Sequence, residues 1–164
     1  MASRDIFDPI KLLRVAPVLT TTATVVYGLN ERLYLGVFVR KEQQAKANAI
    51  LPGYFDVLFR KGVKYVVTGY TSTIGFALAN LVGGSYAMAK SSPSTQLYWT
   101  GLGLAALHFA FVPLVAGSIK DIVEDQPEGK TTSRLQDWLD IHRFRLIFAD
   151  IPSWLCFIAG FIAL

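Results

Sequence analysis

The chain has 164 residues, 52% of them hydrophobic and 17% charged, with a positive mean hydropathy, which is too apolar and too charge-poor for an average soluble domain and implies an integral membrane protein. Its net charge of +4 and pI near 9.3 would suit a nucleic-acid partner, but the lysines and arginines gather at the ends of apolar runs, as in membrane proteins, so nucleic-acid recognition has no support. The single cysteine, Cys156, excludes an intrachain disulfide and a cysteine-based zinc site.

The expected architecture is all-α, a four-helix transmembrane bundle forming one integral membrane domain over residues 1–164, with spans at about 15–39, 64–89, 97–119 and 141–164. Residues 1–14 read as a short polar lead, with Pro9 and Pro17 bracketing its junction with the membrane. This lead lacks the compact apolar core and cleavage site of a signal peptide, so it is expected to be retained. In span one, Tyr27, Asn30, Glu31 and Tyr34 fall at i, i+3, i+4 and i+7, one helix face that should point inward. Thr20, Thr21, Thr22 and Thr24 upstream read as packing residues that return their hydroxyls to carbonyls of the preceding turn.

Residues 40–64 form a basic connection, expected to turn at Pro52-Gly53 between short amphipathic pieces on the cytosolic surface. Span two carries a small-residue stripe, Thr68, Ser72, Gly75, Ala79 and Gly83, against which another helix can pack closely. KSSPSTQ at 90–96 is a turn-forming loop, and Tyr98-Trp99 after it suits a membrane boundary. In span three, His108 is the only titratable group on a face shared with Gly101, Ala105 and Val112. Residues 120–140 form a mixed-charge loop with a turn at Pro127-Glu128-Gly129 and Thr132 or Ser133 as the N-cap of the last element. Span four contains Pro152, expected to kink it just beyond Asp150. Residues 40–64 and 120–145 hold eleven of the sixteen lysines and arginines, which places both termini outside the cytosol.

Chemistry concentrates around span four. A carboxylate within an apolar helix is costly, so Asp150 should face protein or a water pocket. His142, Leu146 and Asp150 lie at i, i+4 and i+8, Arg143 joins the stripe at i+7 from Asp150, and Trp154 follows at i+4. If the inner faces of helices one, three and four converge, Glu31, His108 and Asp150 meet in one cavity bordered by Tyr27, Asn30 and Tyr34. The catalytic candidates are therefore Asp150, Glu31, His108 and His142, and the substrate-binding candidates Tyr27, Asn30, Tyr34, Arg143 and Trp154. Such a set offers an acid and a base together. The competing structural reading is a pair of buried salt bridges, Glu31 with Arg143 and Asp150 with His108, that only fix helix register. The two histidines lie on different helices without HxxxH or ExxH spacing, so no metal is expected. No GxGxxG, P-loop, GxSxG or CxxCH is present, so no cofactor is expected either.

The segment W-L-x-x-H-x-x-R at Trp138, Leu139, His142 and Arg145, followed by a span, resembles the end of small four-helix membrane proteins of the anthrone oxygenase family. The polar residues around Gly28 to Arg32 and the glycine opening span two at Gly62 are similar in layout, while the second half of span one and the first cytosolic loop depart from the family. What the resemblance implies is a multi-pass fungal enzyme of the endoplasmic reticulum or another endomembrane. It would oxidise an anthrone-like polyketide to a quinone without an organic cofactor, with His108, His142 or Asp150 as the base that forms an electron-rich phenolate. Epoxide hydrolysis or epoxide-opening cyclisation is a second enzyme class for the same residues, with a protonated Asp150 activating the epoxide oxygen. A membrane adaptor whose buried charges set packing is the non-enzyme alternative. The partners expected are the bilayer, a hydrophobic small-molecule substrate and, as an open alternative, further copies of the chain.

Overall fold

A computed structural model describes residues 8–126 and 129–164. Its elements are α1 (Pro9–Leu35), α2 (Gln44–Val82), a 3₁₀ turn (Gly84–Tyr86), α3 (Pro93–Leu107), a 3₁₀ turn (His108–Phe111), α4 (Val112–Val123), α5 (Thr131–Arg145), a π turn (Leu146–Asp150) and α6 (Ile151–Ile162). The last six join end to end into two rods, Pro93–Val123 and Thr131–Ile162. With α1 and α2 they make a four-helix, all-α, up-down-up-down bundle. Three of the four, Pro9–Leu35, Pro93–Val123 and Thr131–Ile162, are long and apolar enough to cross a membrane.

Two apolar cores lie at opposite ends. One gathers Leu35, Leu51, Phe55, Val115, Ile122, Leu135, Trp138 and Leu139, and the other Ala77, Leu81, Met88, Tyr98, Leu102 and Phe157. Along every rod polar side chains lie between these sets: Tyr27 and Glu31 on α1, Tyr70 on α2, His108 on the third rod, and His142, Arg145 and Asp150 on the fourth. The topology thus stacks an apolar layer, a polar layer and a second apolar layer.

Proline placement explains the local backbone. Asp8 caps α1 by accepting from the Ile10 amide at 2.9 Å, and Pro9 occupies the first turn, where no backbone donor is needed, so the helix starts inside the expected lead. Residues 1–7 of that lead lie outside the described residues. Pro17 sits inside α1 and leaves the Leu13 carbonyl without its helical donor. Asn80 replaces that donor, its amide nitrogen reaching the Leu13 oxygen at 2.8 Å. In the other two rods the disturbance falls ahead of Pro113 and Pro152, as a 3₁₀ turn beginning at His108 and a π turn ending at Asp150. The threonines of α1 behave as expected, Thr21 and Thr22 donating to the Pro17 and Val18 carbonyls at 2.6 and 2.7 Å.

Three expectations are corrected. Residues 44–82 are one continuous helix through Pro52-Gly53, because Ala47, Leu51 and Phe55, at i+4 spacing, are all buried and tertiary packing overrides the turn signal. The stripe Thr68, Ser72, Gly75 is not the packing face, since Thr68 and Gly75 are exposed; the buried line on α2 is Gly62, Thr73, Ala77 and Asn80. No side chain of α5 caps its own helix. Asn48 does so from α2, its side-chain oxygen accepting from the Thr132 amide at 2.9 Å. Of the expected turn 127–129, Pro127 and Glu128 lie outside the described residues, and Gly129 has φ 65°.

Candidate active site

In the polar layer, the Asp150 carboxylate is 3% exposed and divides its two oxygens between separate partners. His108 Nδ1 lies 3.1 Å from Oδ1, and Arg145 Nε donates to Oδ2 at 3.1 Å. A carboxylate at this depth is tolerated only when paired and hydrogen-bonded. The π turn makes this pairing possible. In a regular α-helix residues five apart diverge by about 140° around the axis, whereas a π turn closes on the fifth residue and brings Arg145 and Asp150 to one side.

Arg145 is held from behind as well. Its Nη2 donates to His142 Nδ1 at 2.7 Å, and His142 Nε2 lies 2.9 Å from the Gly28 carbonyl. Arginine only donates and a carbonyl only accepts, so this chain assigns His142 the tautomer with its hydrogen on Nε2. Trp138 stacks on the His142 ring at 4.8 Å and 11°. Gly28 permits the approach: a methyl group there would meet Leu146 Cδ2 at 3.1 Å and His142 Cε1 at 3.5 Å. The same reasoning at His108 puts a hydrogen on Nδ1, facing the carboxylate, and leaves Nε2 as its second valence. Tyr70 stacks on the His108 ring at 3.6 Å and comes within interaction range of Asp150 and the Thr24 hydroxyl.

Next to this network is a cavity of about 240 Å³, walled by Tyr27, Glu31, Tyr65, Tyr70, His108 and Arg145 with Thr24, Gly28 and Gly69. All four rods contribute to it. The Tyr27 phenol lies within interaction range of Glu31, one turn away on α1. Gly62 of α2 lies directly against the Tyr27 hydroxyl, leaving no room for a side chain. The cavity therefore brings a carboxyl group, three phenols, an imidazole and a guanidinium to one apolar-lined space. Such a set moves protons and balances negative charge on an oxygen. No cluster of three metal-ligating side chains occurs among the described residues.

The structure brings together Glu31, His108, Asp150 and Tyr27 of the residues singled out from sequence. Asp150 and His142 touch the cavity only through the groups they hold, His108 and Arg145, so their place is that of positioning residues. Asn30, Tyr34 and Arg143 are corrected: all three are exposed and none lines the cavity. Trp154 is also displaced from it, donating from Nε1 to Thr22 at 2.8 Å and tying α6 to α1. The cation expected at Arg143 is supplied by Arg145. Sequence reasoning offered Tyr65 and Tyr70 on α2 only as residues that could line a pocket, and it did not single out Arg145 as a site residue, although Trp138, His142 and Arg145 share one α-helical face at i, i+4 and i+7.

No family profile matches the chain, and no solved structure does. The chain is similar to the epoxidase pydX of an Acremonium species, 27% identical over 152 residues covering 93% of each protein. It is also similar to the epoxidase gkaX of Penicillium citrinum, 29% identical over 149 residues, 91% of this chain and 92% of the relative. A third relative, the probable epoxidase scpX of Mollisia scopiformis, is 29% identical over 154 residues, 92% of this chain and 94% of its own. A more distant likeness, 24% over 149 residues, is to oxaleimides biosynthesis cluster protein N of Penicillium oxalicum. The names of these relatives point to epoxidases rather than to anthrone oxygenases, and together they support a biosynthetic enzyme of fungal secondary metabolism.

Proposed function

We propose that this protein is a membrane-embedded enzyme of a fungal secondary-metabolite pathway, seated in an endomembrane, that adds one oxygen atom of O₂ across a carbon–carbon double bond of a hydrophobic precursor. The observation that carries the reading is the cavity in which Glu31, Tyr27, His108 and Arg145 meet, and the epoxidase names of full-length relatives support it. Alkene, O₂, two electrons and two protons give epoxide and water. The electrons come from a reductant outside the chain, and the protons are what these residues can deliver. Glu31 with Tyr27 is the proton-exchanging pair at the cavity wall. His108, oriented by Asp150, is the second proton carrier. Arg145 faces the negative charge that builds on oxygen as it is reduced.

Two related chemistries use the same groups. Quinone-forming oxygenation of an anthrone-like polyketide consumes O₂ and needs a base to form the phenolate, but no external reductant. Epoxide opening needs no O₂, and the phenols of Tyr27, Tyr65 and Tyr70 favour it as donors to an epoxide oxygen. Isotope labelling separates the three. Membranes containing the protein are supplied with the precursor that accumulates in a strain lacking it, under ¹⁸O₂ and then in H₂¹⁸O. Epoxidation is expected to put one label from O₂ into the product and to require a reductant. Label from water with no O₂ consumption would replace the proposal with epoxide opening, and labelled quinone without reductant would replace it with anthrone-type oxygenation.

A further inference from the structure

The 240 Å³ cavity is smaller than the roughly 300–1,000 Å³ of sites that enclose a drug-sized ligand. A hydrophobic secondary metabolite cannot lie in it entirely, so only the reacting part lies within it. The cavity shares Ala23, Tyr65 and Gly69 with an open groove of about 820 Å³ along the outer face of α1 and α2. That groove is lined by Lys61 and Lys64 at one end and by the hydroxyl side chains Thr20, Thr68 and Ser72 at the other. Arg60, beside the lysines, is matched by Asp56, whereas neither Lys61 nor Lys64 has an acidic partner among the described residues. The lysine end of the groove is thus positively charged and unneutralised, and beside it, at Tyr65, Ala23 and Gly69, the groove joins the cavity that holds the reacting groups.

We infer that the substrate is an amphiphilic anion, a long apolar molecule bearing a carboxylate or acidic enol, whose head is held by Lys61 and Lys64 while its body passes Tyr65 into the cavity. The inference rests on the proposed function only in taking the cavity as the reacting site. Two ammonium groups one helical turn apart on one wall give charge-assisted hydrogen bonds to one anionic head. They also fix which carbon of a long chain reaches Glu31, so the distance from Lys61 to the cavity sets the position of reaction.

The test uses the whole protein in nanodiscs of neutral phosphatidylcholine, with cis-parinaric acid, a fluorescent polyene carboxylate, and its methyl ester as probes. The acid is expected to bind at least tenfold more tightly than the ester. Lys61→Gln with Lys64→Gln should reduce the acid to the affinity of the ester, and Lys61→Arg with Lys64→Arg should keep the preference. Equal binding of acid and ester, binding of neither, or a preference that survives the double glutamine variant would overturn the inference. A Glu31→Gln variant should bind the acid as the unaltered chain does. Unchanged turnover in this variant with retained acid preference would therefore count against the function and not against the groove.

Discussion

Two polar clusters are buried in this bundle, and they are built to different ends. At the terminal end, Asn80 uses both hydrogens and the oxygen of its side chain: its amide donates to the Leu13 and Phe76 carbonyls at 2.8 and 2.9 Å, and its oxygen accepts from Arg14 at 2.9 Å. Tyr98 completes the knot by donating to the Arg14 carbonyl at 2.5 Å. In the central cluster, Asp150 and His142 are equally saturated, but the groups they hold, His108 and Arg145, turn part of their surface to a cavity. The first cluster repairs a helix opened by a proline. The second spends its hydrogen bonds on fixing groups that still have something to offer a ligand.

The sharpest way to break this contrast is at Glu31. If the central cluster is chemical, Glu31→Gln should lower turnover by about 10²–10⁴-fold while the melting temperature in detergent stays within a degree or two, because only a proton-exchanging group is lost. Unchanged turnover on an identified substrate would make the two clusters the same kind of object. Asp150→Ala comes next and acts on both levels. Removing one partner of a buried ion pair costs about 3–5 kcal/mol, so folded yield should fall, and the activity of what folds should fall with the loss of His108 orientation. Asn80→Ala should cost about 1–3 kcal/mol in thermal unfolding, from unmet backbone and guanidinium partners, with activity per folded molecule unchanged. A specific activity loss there would mean that the knot reaches the cavity. Smallest is Arg60→Ala. Its guanidinium holds the exposed Asp56 carboxyl below the ordinary aspartate range, so this pair's contribution is present at neutral pH and disappears on acidification. At such exposure, melting curves of variant and parent should coincide across that range.

The sequence carried the layered plan well, since a carboxylate or imidazole in each of three apolar stretches has few places to go but inward. It misplaced the cation. Counting in α-helical turns from Asp150 leads to Arg143, and the π turn between Arg145 and Asp150 is invisible to that count. Counting back from His142 within α5 stays in register, and the motif W-L-x-x-H-x-x-R already contained the stacked Trp138, the anchor His142 and the guanidinium of Arg145. Asn30 and Tyr34 were drawn inward by periodicity alone; they share the helix face of Tyr27 and Glu31, but both are exposed. The α2 side of the site was hidden for a different reason. Pro52-Gly53 reads as a turn, and only the contact of Leu51 and Phe55 with Leu135 and Trp138 across the bundle keeps the helix whole.

That unbroken α2 constrains how the proposed site could open. At 39 residues it is about 58 Å long, nearly twice the roughly 30 Å of a hydrocarbon core, and it runs as one strut from the first apolar layer through the cavity wall to the second. A strut without a joint cannot swing half of the bundle away from the other half. If the proposed substrate is admitted here, single side chains would have to turn aside while the scaffold stands still, and Tyr27 and Tyr65, tilted against each other at the cavity wall, are the side chains in the way.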